Sequence, residues 1–162
     1  PADSDAPQPT SETYEAQQCL WALGHRVPQL IDFDADPYWP KRAAGLSFFK
    51  VHLVLFLSPP HADLARAVDR AIRTFSRGDV VGFMHTLHDF DAPNAMFTRH
   101  GVNTVLDTPK LIVRDQRLAP DDRQIPYKGE ISEEAIVAFL RSLTPPLVPE
   151  GETPPAPAKD EL

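Results

Sequence analysis

Three stretches of this sequence predict an α/β fold with a mixed central sheet and helices on both faces. The first is Lys50-Val-His-Leu-Val-Leu-Phe-Leu57, in which His52 is the one polar side chain after Lys50. A run with no polar side to turn toward water, rich in β-branched and large apolar residues, reads as a strand buried on both faces. The second is the junction that follows. Ser58 suits a helix cap, and Pro59 and Pro60 suit a first helical turn whose amides have no partner anyway. From there Leu64, Val68, Ile72 and Phe75 recur at helical spacing, with Arg66, Asp69, Arg70 and Arg73 between them. The third is another apolar run, Asp79-Val-Val-Gly-Phe-Met-His-Thr-Leu87. Two such strands separated by a helix of about 20 residues imply a parallel crossover.

The flanking elements follow in order. Residues 1–10 carry too few apolar groups to offset the entropy of ordering them and are expected to be disordered. Residues 11–24 suit a short helix with Tyr14, Cys19, Leu20, Trp21 and Leu23 on one side and Gly24 as its stop. Residues 26–33 read as a short extended segment, and Asp36-Pro37 starts a helical turn that ends near Gly45. Asp91 suits the cap of a short helix through Asn94, Met96 and Phe97, which His100-Gly101 ends. Leu111–Val113 and Arg123–Lys128, joined by Ala119-Pro-Asp-Asp122, predict an antiparallel hairpin. Pro126 lacks an amide hydrogen, so its strand belongs at the sheet edge. Ser132 caps a last helix with Glu133 and Glu134 in its first turn and Ile136, Phe139, Leu140 and Leu143 as its buried stripe. These limits divide the chain into a tail and linker helix over residues 1–25, one domain over 26–144, and a flexible Pro-rich tail over 145–162.

Bulk composition narrows the partners. The 162 residues carry a net charge of −7, and no Lys/Arg cluster is dense enough to neutralise a row of phosphates, so nucleic acid is not expected. No apolar run approaches the roughly 18 residues that cross a bilayer, so membrane insertion is not expected either. One cysteine, Cys19, allows no disulfide within the chain and no two-thiol redox pair.

The order strand, helix, strand, helix, strand, strand, helix resembles the thioredoxin fold. Thr108-Pro109 opens the hairpin just after Arg99-His-Gly-Val102, where thioredoxins carry a cis proline, so the resemblance implies a cis bond at Pro109. At the Ser58 junction the catalytic domains of protein disulfide isomerases carry Cys-x-x-Cys; aligning Phe56 puts His61 and Leu64 at those two positions. Neither forms a thiolate, so disulfide exchange is not expected here. Val27-Pro-Gln-Leu-Ile-Asp-Phe33, the central strand, Phe139-Leu-Arg-Ser142 and Pro145-Pro-Leu-Val-Pro149 together resemble the non-catalytic, substrate-binding b′ domain of that family. Residues 11–25 look like the end of a preceding domain's last helix, which implies a piece of a longer isomerase. In b′ domains an apolar cleft takes clients, and the resemblance assigns Phe48, Leu53, Met96 and Phe97 to it.

The remaining signals each carry a plainer reading. Lys159, Asp160, Glu161 and Leu162 together match the address read by the KDEL receptor, which implies the endoplasmic reticulum lumen. Cys19, in the apolar stripe of a helix, reads as a small buried hydrophobe before a link to another chain. His85 and His88, three apart on a strand, point to opposite faces and make a poor metal pair. No nucleophile accompanies His61 in the sequence, which leaves it a surface residue rather than a base. Asp121-Asp122 with the acidic tail gives a weak calcium-buffer reading. The expected function is therefore a redox-inactive, chaperone-like domain without cofactor that binds apolar segments of unfolded polypeptides. The alternative is an adaptor that recruits a catalytic disulfide isomerase.

Overall fold

The computed structural model describes residues 30–32, 49–76, 78–88 and 95–154, with Met96 described by its backbone alone. The helix expected over residues 11–24, the turn over 36–45 and the Asp91 cap lie outside the described residues. Within them, the Val51–Leu57 run forms the strand expected of it, and it is the hub of the molecule. We label the strands β1 (Leu30–Asp32), β2 (Val51–Leu57), β3 (Val80–Thr86), β4 (Lys110–Asp115) and β5 (Gln124–Ile125). The helices are α1 (Leu64–Arg73), α2 (Ala95–Arg99) and α3 (Glu133–Arg141).

The described strands form one sheet in the order β1-β3-β2-β4-β5. β1 and β2 each run parallel to β3, β4 runs antiparallel to β2, and β5 antiparallel to β4. With α1 and α3 on one face and α2 on the other, this is the thioredoxin fold. β5 stops at Ile125, directly before Pro126, and occupies the sheet edge as the missing amide hydrogen requires.

Alternation along β2 sorts its side chains onto two faces. Val51, Leu53, Leu55 and Leu57 pack with Val68, Ile72, Ile136 and Leu140 beneath α1 and α3. Val54 and Phe56 turn the other way and pack with Phe83, Phe97, Val102 and Ile112. Each fully buried Leu, Ile or Phe contributes about 1.5–3 kcal/mol by leaving water. α1 ends at Arg73, so Phe75 is buried from the turn beyond the helix rather than from the helix itself. α3 starts as expected, with Ser132 Oγ accepting from the Ala135 amide at 3.3 Å and two glutamates in its first turn. Of its expected stripe, Ile136, Leu140 and Leu143 are buried, while Phe139 is half-buried and packs edge-on to Tyr127.

The Pro-rich segment does not leave the domain at Pro145, where a flexible tail is expected. Leu147 is buried in the core and its amide reaches the Leu140 carbonyl at 3.2 Å. Pro149 bridges Phe75, and the Glu150 amide donates to the Thr74 carbonyl. One well-placed leucine and a few backbone hydrogen bonds hold a segment whose composition reads as a linker. The domain therefore continues to about Glu152, which pairs with Arg141 at 2.9 Å.

Candidate functional site

Two loops meet at the carboxyl end of β2. One is Ser58 with the 3-10 turn Pro59–His61 that leads into α1; the other is the 3-10 turn Val105–Asp107 that leads through Thr108 into β4. The Thr108–Pro109 bond is cis. Ser58 has the extended backbone of a cap, but its hydroxyl makes no capping hydrogen bond. It is turned instead toward its neighbours, 3.0 Å from His61 Nδ1 and 2.9 Å from Thr108 Oγ1. Thr108 Oγ1 also lies 2.6 Å from the Val105 carbonyl.

Proton counting gives this chain a direction. A carbonyl only accepts, so the Thr108 proton goes to Val105, and the Ser58 proton then goes to Thr108. Ser58 Oγ is left to accept from His61 Nδ1–H. Every hydroxyl in the relay thus donates once and accepts once, which ties the two loops together.

The second loop is held as firmly from the outside. Asp107 Oδ2 accepts from the amides of Asn103 at 2.8 Å and Thr104 at 3.0 Å, and Thr104 Oγ1 accepts from the Leu106 amide. Those two backbone donors hold the Asp107 carboxyl below its ordinary range. The turn they fix displays Leu106, which is 90% exposed, at its tip.

Beside cis-Pro109 lies an open groove of about 450 Å³, lined by Leu64 at the start of α1, by Pro109 to Leu111, and by Tyr127 to Ile131 between β5 and α3. Leu64, Pro109, Leu111 and Ile131 are its apolar lining; Lys128 and Glu130 add opposite charges. Tyr127 braces the outer wall by donating to the Glu130 carbonyl at 2.5 Å. Burial first, and the Glu130 carboxylate second, push the Tyr127 hydroxyl above its ordinary pKa, so it stays a donor. Gly129 is required for this brace, because a β-carbon there would stand 2.8 Å from the Tyr127 oxygen.

The residues expected to line one cleft do not share a surface. Leu53 is fully buried beneath α1 and α3, and Phe97 is buried on the opposite face of the sheet. The alternation of β2 separates them, so neither forms the expected client site. Phe48 and Cys19 lie outside the described residues, and the Met96 side chain is likewise not described. The four residues of the expected retention address, Lys159, Asp160, Glu161 and Leu162, also lie outside the described residues. Pro109 is exposed at the groove. His85 is buried with its ring stacked on Phe56 at 5.4 Å, and His88 is exposed beyond the end of β3. Asp121 and Asp122 sit exposed in a 3-10 turn, and among the described residues no group of three or more His, Cys, Asp or Glu is gathered to hold a metal. The groove residues Leu64, Tyr127, Gly129 and Ile131 come from separate stretches of the sequence, and sequence reasoning did not bring them together.

No family model and no curated protein matches this chain. Solved structures do. The J-Trx1 fragment of ERdj5 is 23% identical with a TM-score of 0.44, over 69% of this chain and 48% of that one. Full-length ERdj5 is 16% identical with a TM-score of 0.49, over 78% of this chain and 18% of that one. The first thioredoxin domain of mouse protein disulfide-isomerase A4 is 16% identical with a TM-score of 0.45, over 80% and 85% respectively. The chain thus spans about half the length of the first structure and under a fifth of the second.

Proposed function

We propose that this chain is a redox-inactive thioredoxin-fold domain, of the b′ type found in protein disulfide isomerases, that binds apolar segments of unfolded polypeptides in the groove beside Pro109. The observation that carries this reading is the groove itself, in which apolar and polar lining residues meet beside two braced loops. Concave apolar surfaces with a few fixed polar groups are where ligands bind. The single cysteine of the sequence, with His61 and Leu64 at the junction, supports a role without disulfide chemistry. The sequence Lys159, Asp160, Glu161, Leu162 supports the endoplasmic reticulum lumen, with the KDEL receptor as a second partner.

Affinity comes from apolar burial at about 25 cal/mol per Å², reduced by the cost of ordering an extended client. Binding is accordingly weak, on the order of micromolar. Fluorescence anisotropy with a labelled, unfolded apolar peptide tests this. Leu64→Asp puts a charge in the groove lining and weakens binding about tenfold or more, since an unpaired charge there must be desolvated. Equal affinity in both proteins would overturn the assignment of the groove.

Leu106 favours a second reading, an adaptor that recruits a catalytic isomerase or another luminal protein. A leucine held out on a rigid turn suits a protein contact. Competition between client peptide and partner separates the two: an adaptor working through Leu106 keeps its partner when the groove is full.

A further inference from the structure

The face of the sheet opposite α1 and α3 gathers cations where α2 ends, with Lys110 at the border of the groove. Lys110 pairs with Phe56 in the register of β4 on β2, and Arg114, four residues along, lies on the same side of β4. The His100 ring stands 5.6 Å from Phe56. Lys110 Nζ donates to the His100 carbonyl at 2.6 Å and would touch a β-carbon at Gly101 at 3.0 Å, so this ammonium is pinned over the end of α2. Gly101 takes a positive φ of 71° there, and the Val102 amide reaches back to Phe97 to close the helix.

Arg70, Arg73, Arg117 and Arg141 each pair with a carboxylate; Arg99, Lys110 and Arg114 pair with none among the described residues. Two nitrogens of the cluster, His100 Nδ1 and Arg114 Nε, are buried without a hydrogen-bond partner. Buried donors are ordinarily satisfied, and a guanidinium N–H is a costly one to leave bare. Burial first, then Arg114, Arg99 and Lys110 in that order, hold the His100 pKa below its ordinary value, so these charges all act on one ring.

We propose that Arg99, His100, Lys110 and Arg114 form a binding site for a phosphate- or sulfate-type dianion. A tetrahedral oxyanion offers an oxygen to each of several donors arriving from different directions, and its two negative charges oppose three positive ones, of which Lys110 is held in place by the His100 carbonyl. A single carboxylate would leave the cluster with a larger excess of positive charge. Charge-assisted hydrogen bonds from the buried Arg114 Nε–H and from His100 supply the selectivity, and the more exposed Arg99 adds mainly long-range attraction.

The test is an NMR titration of the full chain with inorganic phosphate and with sulfate, following the His100 ring and the Arg114 Nε–H signal, against sodium acetate and sodium chloride at matched ionic strength. Saturable shifts with phosphate or sulfate are expected, together with a rise in the His100 pKa. The charged groups to account for in that titration are Arg99, Lys110 and Arg114, with His85 beyond Phe56. Arg114→Gln weakens the site about tenfold and Arg99→Gln about threefold. Arg99→Gln lies on the surface and tests the site should the Arg114 variant fold poorly. A parallel titration with phosphoserine separates the sources: tighter binding than free phosphate identifies a phosphorylated side chain, and weaker binding identifies the free ion. Shifts that do not saturate, that acetate or chloride reproduces, or that survive both substitutions would overturn the proposal.

Discussion

The two faces of the sheet are built from different chemistry. Beneath α1 and α3, β2 contributes only aliphatic side chains, and they meet Val68, Ile72, Ile136 and Leu140. On the opposite face Phe56 is the hub of a ring cluster, touching His85 at 5.4 Å, Phe97 at 5.3 Å and His100 at 5.6 Å. Both faces exclude water, yet the first carries its buried carboxylate, Asp115 beside Val51, at the end of the strand, while the other holds imidazoles against the central Phe56. The difference teaches that the pH response near neutrality belongs to the aromatic face, while the aliphatic face answers only to acid, through Asp115.

Substitutions on the two faces test that division. Phe56→Ala has the largest expected effect, about 3–5 kcal/mol of stability by denaturant unfolding. It also hydrates the His100 ring, so the His100 pKa rises toward about 6.5 by NMR titration. Leu53→Ala costs about 2–5 kcal/mol on the other face but leaves the His100 titration where it was. A shift of His100 in that variant would break the division.

The pH response follows from the direction of the His100 shift. Its folded pKa is lowered, so below about 6.5 the unfolded chain takes up the proton first. The stability that His100 contributes is therefore complete above that pH and is lost as pH falls toward the folded value. In unfolding curves across this window His100→Gln flattens the slope. Asp115 acts lower on the scale. Burial raises its pKa, but the Arg117 side chain at 2.7 Å and 2.8 Å and the Arg117 amide outweigh burial and leave the value lowered. Its contribution is present above about pH 4 and fades below it.

Smaller effects fall at the loops. Thr108→Val removes the middle of the Ser58 relay and costs about 1–2 kcal/mol, measured by thermal or denaturant unfolding. Leu106→Ser changes stability by less than about 0.5 kcal/mol, because the side chain is 90% exposed. If Leu106→Ser unfolded the domain, the leucine would be packing and not display.

Much of the fold was legible because its elements are locally determined. The 51–57 run, the spacing of Leu64, Val68 and Ile72, and Ser132 ahead of two glutamates each specify their own element. The site was less legible because it depends on which way side chains face. In a strand buried on both faces every position is apolar, so the pattern gives no hint that Leu53 and Phe97 part company. The docking of residues 147–150 was hidden for a similar reason: proline content signals a linker, while a single leucine, Leu147, anchors the segment. The groove is assembled from three distant pieces, around 64, 109–111 and 127–131, and no local pattern joins them.

The most direct measurement is an amide NMR titration of this chain with an unfolded apolar peptide. Binding in the groove predicts shifts clustered at Leu64, Lys110, Leu111 and residues 127–131, with Leu53 and Phe97 unmoved. An intact spectrum that stays silent at those positions, or responds elsewhere, would contradict the account.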